Sequence, residues 1–243
     1  MAEKLTIEAA ADFIIGLTKC RPIRGIEELV WNALDADAHA VEVVLRRNAL
    51  DGIESISVLD DGHGIDREDR SLAFGQLGGS PKSVRATTLG GRELHGRDGK
   101  GRLRALGLGS RATWKTRFRD NEGKLMEWSA RASATSPREV AASDLVELDP
   151  AGNSGTEVLV ENLDEGVDAL AAEGAASELL TRLAVYLRKY PTIRVTYDGT
   201  TLDPAEAVED TRTYPVEVDV APGKTEAGEV TVVEWTQDVT RKL

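Results

Sequence analysis

"ELVWNALDADA" (residues 28–38) sets Glu28, Asn32 and Asp35 at i, i+4 and i+7 and then runs into a further acid, Asp37. At about 100° per residue these three polar groups share an arc of roughly 60°. Ile26, Leu29, Val30, Ala33, Leu34 and Ala36 occupy the opposite side. The spacing predicts an amphipathic helix from near Gly25 to about Ala38. Taken alone, such a stripe reads as a solvated polar face. It gains weight from two glycine-rich clusters further along the chain.

Downstream, "HAVEVVLRRN" alternates Val41, Val43 and Leu45 with Glu42, Val44 and Arg46. After an Asp51-Gly52 turn, "IESISVLD" alternates in the same way, so the two runs predict an antiparallel hairpin. Upstream, Leu5, Ala9, Phe13 and Leu17 predict a first helix over 5–18 that ends in the Pro22 region. From Asp60 to Gly101 the chain is rich in glycine and polar residues without a sustained period. Such a length marks a functional lid or a disordered segment. A helix is expected over about 102–110, followed by the strands "ATWKTRFR", "KLMEWSARA" and "GTEVLVENL". A helix over about 175–189, the strand "TIRVTYDG" and two strand-like runs, "YPVEVDV" and "EVTVVEW", complete the order. Helices with a mostly antiparallel strand set make the class α+β.

The 243 residues suffice for one large core, and 41% hydrophobic with 30% charged content is that of a globular chain. No apolar run approaches the ~18 residues that cross a bilayer, and the N-terminal stretch does not read as a signal peptide. A single cysteine, Cys20, excludes an internal disulfide and makes a reducing cytoplasm the default expectation. The net charge of −12 argues against whole-surface affinity for nucleic acid or anionic lipid. Residues 92–119 nevertheless carry nine basic residues against Glu93 and Asp98, an excess that could face an anion.

The first of the two clusters, "SISVLDDGHGID" (55–66), is an apolar strand that delivers Asp60 into Asp61-Gly62-His63-Gly64. The two glycines let the backbone turn sharply against a flat ligand, and the carboxylate can accept from an exocyclic amine. A surface turn is the plain alternative. The second, "HGRDGKGRLRALGLG" (95–109), places Gly96, Gly99 and Gly101 ahead of a helix, where converging N–H groups and the helix N-terminus can cradle phosphate. It is not a Walker A loop, and a flexible linker is its plain alternative.

Taken in order, these clusters resemble the GHKL superfamily of ATPases, which includes heat-shock-90 chaperones, MutL proteins, type II topoisomerase ATPase subunits, MORC proteins and sensor histidine kinases. The family's E-L-x-x-N-x-x-D-A box is matched by Glu28 to Ala36, its D-x-G-x-G by Asp60 to Gly64, its G-x-x-G-x-G by Gly96 to Gly101, and its late Gly-Thr by Gly155-Thr156. The resemblance covers about residues 10–200. It implies a Bergerat-type two-layer sandwich, a mostly antiparallel sheet with helices on one face. Histidine kinases carry N-A-x-K in the helix, whereas this chain reads N-A-L-D-A, so the hydrolytic branches are the nearer match.

Carried over to this chain, the resemblance makes Glu28 the general base for the attacking water and Asn32 the Mg²⁺ ligand, with Asp35 either supporting the metal shell or capping local structure. Asp60 accepts the adenine amino group, Gly62, Gly64 and Ile65 complete the purine turn, and Thr156 donates its hydroxyl near Asp60, directly or through water. Backbone N–H groups across Gly96, Arg97, Asp98, Gly99, Lys100, Gly101, Arg102 and Leu103 hold the β- and γ-phosphates of ATP. The expected domains are an ATP-binding unit over 1–205 with a lid at about 75–101, then the start of a transducer-like unit over 206–243, as in a fragment of a longer protein. The implied function is Mg²⁺-dependent ATP binding and slow hydrolysis used as a switch, with nucleotide-dependent homodimerisation and no membrane association. The alternative is a non-hydrolytic adenine-nucleotide-binding module. A DNA partner stays open, since Lys115, Arg117 and Arg119 on one strand face could dock nucleic acid or be paired with acids.

Overall fold

The structure is a computed structural model in which residues 16, 18–74, 87–95, 104–221 and 224–236 are described. Of the expected first helix, Gly16 and Thr18 are helical and the rest lies outside the described residues. Helix α1 spans Pro22–Asp35. It starts three residues earlier than the apolar period suggests, because Pro22 sits in its first turn, where a missing N–H costs nothing. The helix also stops sooner than Ala38. Asp37 takes a φ of 61°, and the N–H groups of Asp37 and Ala38 bond back to Leu34 O and Ala33 O at 3.1 and 3.2 Å. That is the left-handed stop usually made by glycine, here made by an aspartate.

Strands β1 (Ala40–Arg47), β2 (Ile53–Asp60), β3 (Gly109–Arg119), β4 (Leu125–Ser133), β5 (Val140–Ala142), β6 (Val146–Glu147), β7 (Gly155–Leu163), β8 (Arg194–Tyr197) and β9 (Thr200–Thr201) form one sheet in the order β5-β4-β3-β7-β2-β1-β8-β9, with β6 also on β4. Every pairing is antiparallel except β1 with β8. The β1–β2 hairpin forms as its alternation predicts, with Val43 opposite Val58 and Val41 opposite Asp60.

One sheet face carries Val41, Val43, Ile56, Val58, Trp114, Trp128, Val158 and Val160, all buried. Ile26, Val30 and Leu34 of α1, and Leu179, Leu183 and Leu187 of α3 (Gly174–Lys189), are buried in the same core. Fully burying one such side chain contributes about 1.5–3 kcal/mol, so this layer of helix against sheet is the dominant source of stability. The short α2 (Arg70–Phe74) brings Phe74 edge-on to Trp114 and Trp128, with centroids 5.3 and 5.9 Å away. No helix among the described residues is long and apolar enough to cross a membrane.

The helix expected at 102–110 is a correction. Arg104 and Ala105 are helical, but residues 106–108 turn and β3 begins at Gly109, already opposite Leu163 of β7. Glycines at 107 and 109 weaken a helix by about 1 kcal/mol each, and the long pairing with β7 overrides what remains of the local preference. After a 3-10 turn at Pro204–Ala207, β10 (Val208–Ala221) and β11 (Lys224–Trp235) form a separate two-stranded ribbon. Tyr214, Val218, Val220, Val230 and Val232 on it remain exposed.

Candidate functional site

Asp60 ends β2 at the centre of the sheet, where β7 starts beside it. Its Oδ1 accepts from the backbone N–H of Gly62 at 2.9 Å and of Thr156 at 3.1 Å. Both of its hydrogen bonds among the described residues fall on Oδ1, which leaves Oδ2 for another donor. The residue keeps partial solvent contact, but its carboxyl is packed round by protein. Desolvation pushes its pKa up to about 6, against the opposing pull of the two N–H donors.

The close approach of β7 requires glycine at 155. Gly155 has a φ of +146°, and a Cβ there would lie 2.1 Å from Asp60 O. Gly155→Ala therefore displaces the strand end that holds Asp60. It is expected to cost about 2–4 kcal/mol and to lower Tm by roughly 5–10 °C in a thermal melt; a Tm within 1–2 °C of wild type would contradict a steric need for glycine here.

The turn after Asp60 hangs on both layers. His63 N donates to Ala36 O at 2.9 Å, just past the end of α1, and Asp61 Oδ1 accepts from His39 N and Ala40 N at 2.7 and 2.8 Å. Gly64 has a φ of +74°, and a Cβ there would meet Arg117 O at 2.1 Å. Ile65 is clamped from below: its N–H donates to Thr116 Oγ1 at 2.8 Å, and its carbonyl accepts from Trp128 Nε1 at 2.8 Å. Thr116 in turn lies across from Thr156, with the two hydroxyls 3.1 Å apart.

On α1, Glu28 is half-buried, Asn32 is exposed and Asp35 is buried, so the stripe is more than a solvated face. Asp35 Oδ1 accepts from His95 N at 2.8 Å, which ties the helix to the residue just before Gly96. The His95 ring stacks on Trp31 at 3.6 Å, and Tyr186 of α3 meets Trp31 edge-on. Both Trp31 and Trp114 are core residues, 5% and 6% exposed. The neighbouring Glu27 is also buried, held by Arg24 at 2.8 Å and by Arg182 of α3 at 3.5 Å.

Asp37, the further acid of the opening stretch, anchors the segment 87–95. Its carboxylate accepts from Thr88 Oγ1, from Gly90 N at 2.8 Å and from Arg92 Nε at 3.3 Å. Burial acts to raise its pKa, but these donors outweigh it and hold the carboxyl below its ordinary value. Arg92, 8% exposed, also donates to Ala38 O at 2.9 Å. Sequence reasoning missed this anchor and Thr116, Glu27 and Arg182.

The expected phosphate-loop residues Gly96, Arg97, Asp98, Gly99, Lys100, Gly101, Arg102 and Leu103, and most of the expected lid, lie outside the described residues. The structure does bring Asp60, Gly62, Gly64, Ile65 and Thr156 together at one end of the α1 stripe. The basic strand face is largely engaged: Lys115 pairs with Glu127 at 3.3 Å, and Arg119 donates to Pro150 O and Gly152 O.

Comparison with known proteins agrees with this fold. A family profile described as "Histidine kinase-, DNA gyrase B-, and HSP90-like ATPase" matches residues 21–150, just over half of the chain. The DNA mismatch repair protein MutL of Pelotomaculum thermopropionicum is 34% identical over 179 residues, 68% of this chain and 26% of that protein. MutL of Chelativorans sp. is 32% identical over 216 residues, 81% of this chain and 30% of that protein. The chain thus spans no more than about a third of the length of these relatives. The ATPase region of Saccharomyces cerevisiae topoisomerase II has the same fold, with a TM-score of 0.50 at 16% identity over 74% of this chain and 48% of that one. By its profile match, its fold and its motifs, the chain belongs to the GHKL family, the histidine kinase-, DNA gyrase B- and HSP90-like ATPases.

Proposed function

We propose that this chain binds ATP with Mg²⁺ and hydrolyses it slowly, using the nucleotide as a conformational switch. The observation that carries this is the Asp60 carboxyl, held at Oδ1 by two backbone donors with Oδ2 left for the adenine amino group, at the head of a turn that Gly64 lets pack directly on the Arg117 carbonyl of β3. The purine turn is bonded at Ala36, and Glu28 lies eight residues back along the same helix. At 1.5 Å per residue that is about 12 Å, the scale of an extended nucleoside triphosphate.

Glu28, half-buried on the stripe, then stands where a terminal phosphate would end and can polarise water for attack. Asn32, exposed one turn on, offers the hard amide oxygen that Mg²⁺ accepts. When bound, the metal neutralises charge that builds on the phosphates during transfer. Asp35 is better described as a tether of the His95 backbone than as a metal ligand. That tether would position Gly96 to Leu103 for the β- and γ-phosphates. Closure of a lid over about 75–101 would exclude water and set the rate, and nucleotide-dependent pairing of two copies would read it out. Residues 206–243 would open a transducer-like unit, consistent with the exposed valines of the ribbon.

Calorimetric titration of the folded chain with ATP and Mg²⁺ is expected to give one saturable site, with GTP at least ~10-fold weaker through the mismatch at Asp60. Folded protein that takes up no adenine nucleotide would end this proposal.

A further inference from the structure

We propose that Thr116 is a positioning residue for purine selection: it orients the Thr156 hydroxyl so that its proton is presented to the ring nitrogen beside the adenine amino group. This rests on the site being an adenine-nucleotide pocket. The two threonines face each other across β3 and β7 and are nearly excluded from solvent, Thr116 at 1% and Thr156 at 7% exposure.

The available protons set the direction of the bonds. Thr116 Oγ1 already accepts from Ile65 N at 2.8 Å. Its only other hydrogen-bonding neighbour among the described residues is Thr156 Oγ1 at 3.1 Å. A hydroxyl has one proton to donate, and leaving it without an acceptor in the core costs about 1–3 kcal/mol. The Thr116 proton therefore goes to Thr156. Were Thr156 to donate instead, the Thr116 proton would have no acceptor among these neighbours.

With its oxygen accepting from Thr116, Thr156 can only turn its own proton elsewhere. Its backbone N–H holds Asp60 Oδ1, so the hydroxyl stands beside the acid that takes the amino group. The pair then offers an acceptor at Asp60 next to a donor at Thr156. Adenine presents the complement, an amino donor next to the N1 acceptor. Guanine presents a carbonyl next to N1–H and meets like with like at both points. The Ile65 N–H is thus the start of a hydrogen-bond chain that fixes base specificity from beneath the ring.

The test compares ATP with 1-deaza-ATP, which has C–H in place of N1, by calorimetry on the full chain. Wild type is expected to bind 1-deaza-ATP roughly tenfold more weakly than ATP. Thr116→Val also removes the acceptor of the Ile65 N–H, so both nucleotides can weaken, but the preference for ATP over 1-deaza-ATP should fall from about tenfold to near one, whereas Thr116→Ser should keep it. A structural role alone would weaken both nucleotides by the same factor and leave the preference unchanged. Retention of the full ATP preference by Thr116→Val, or wild type that binds ATP without distinguishing the analogue, overturns the proposal. Wild type that binds neither nucleotide instead refutes the adenine-nucleotide site itself. If Thr116→Val is unfolded, proton NMR of the wild-type hydroxyls decides: a Thr116 hydroxyl proton shared with Thr156 oxygen supports the chain, and the reverse direction overturns it.

Discussion

Glu28→Ala lowers phosphate release from ATP by a factor of about 10² to 10⁴ while ATP binding stays within about threefold of wild type. Glu28 lies on the α1 stripe, about 12 Å by helical rise from the Ala36 carbonyl that holds the turn after Asp60, so the adenine contacts proposed above do not involve it. Removing a group that acts on water in the transition state therefore separates kcat from affinity. Single-turnover release of inorganic phosphate, alongside a titration with ATP, measures the two independently. Equal loss of binding and release would make Glu28 a structural residue. Wild type that binds ATP yet releases no phosphate, even at concentrations that favour paired copies, would favour the non-hydrolytic module.

Asp60→Asn weakens ATP binding by at least about 100-fold. The backbone N–H groups of Gly62 and Thr156 both need an acceptor at Oδ1, so the substituted amide must keep its oxygen there. Its NH₂ would then occupy the place of Oδ2 and oppose the adenine amino group proposed to bind there, donor against donor. Loss of a hydrogen bond to a charged group plus an unpaired donor accounts for about 3 kcal/mol. Binding within threefold of wild type would remove Asp60 from the base contact.

The same residue links the site to pH. Its pKa in the folded protein is about 6, above the unfolded value near 3.9. Between those values the folded state binds more protons, so stability falls as pH rises from about 4 through 6. Two pKa units correspond to about 3 kcal/mol at most, and partial solvent contact reduces this to roughly 1–2 kcal/mol. Asp60→Asn should therefore melt higher than wild type above pH 7 while losing ATP. Binding is expected to have the opposite sign: the proposed adenine contact needs the ionised carboxylate, so wild-type affinity should decline more steeply than that of the variant as pH falls through about 6.

Much of this site was legible before folding. The arc of Glu28, Asn32 and Asp35 and the alternation that brings Asp60 to a strand end are local periodicities, and the helix and strand keep them. The boundaries were less legible. Pro22 starts a helix it was expected to precede, and the segment at 106–108 turns into β3 because pairing with β7 outweighs helix preference. Asp35 could be placed on the stripe, but its bond to His95 spans sixty positions and no local pattern encodes it.

By itself, then, the sequence determined which groups stand on which face of α1, which acid ends β2, and the order in which the family motifs follow one another. These follow from backbone geometry repeated every few residues. Only the tertiary structure decided that Thr116 supports Ile65 and Thr156, that Asp37 and Arg92 anchor the segment before the glycine-rich loop, and that Glu27 is buried against Arg182. Those contacts depend on sheet register and helix docking, which emerge when the whole core closes. A hydrogen bond between residues 40 or 55 positions apart exists only after that register is chosen.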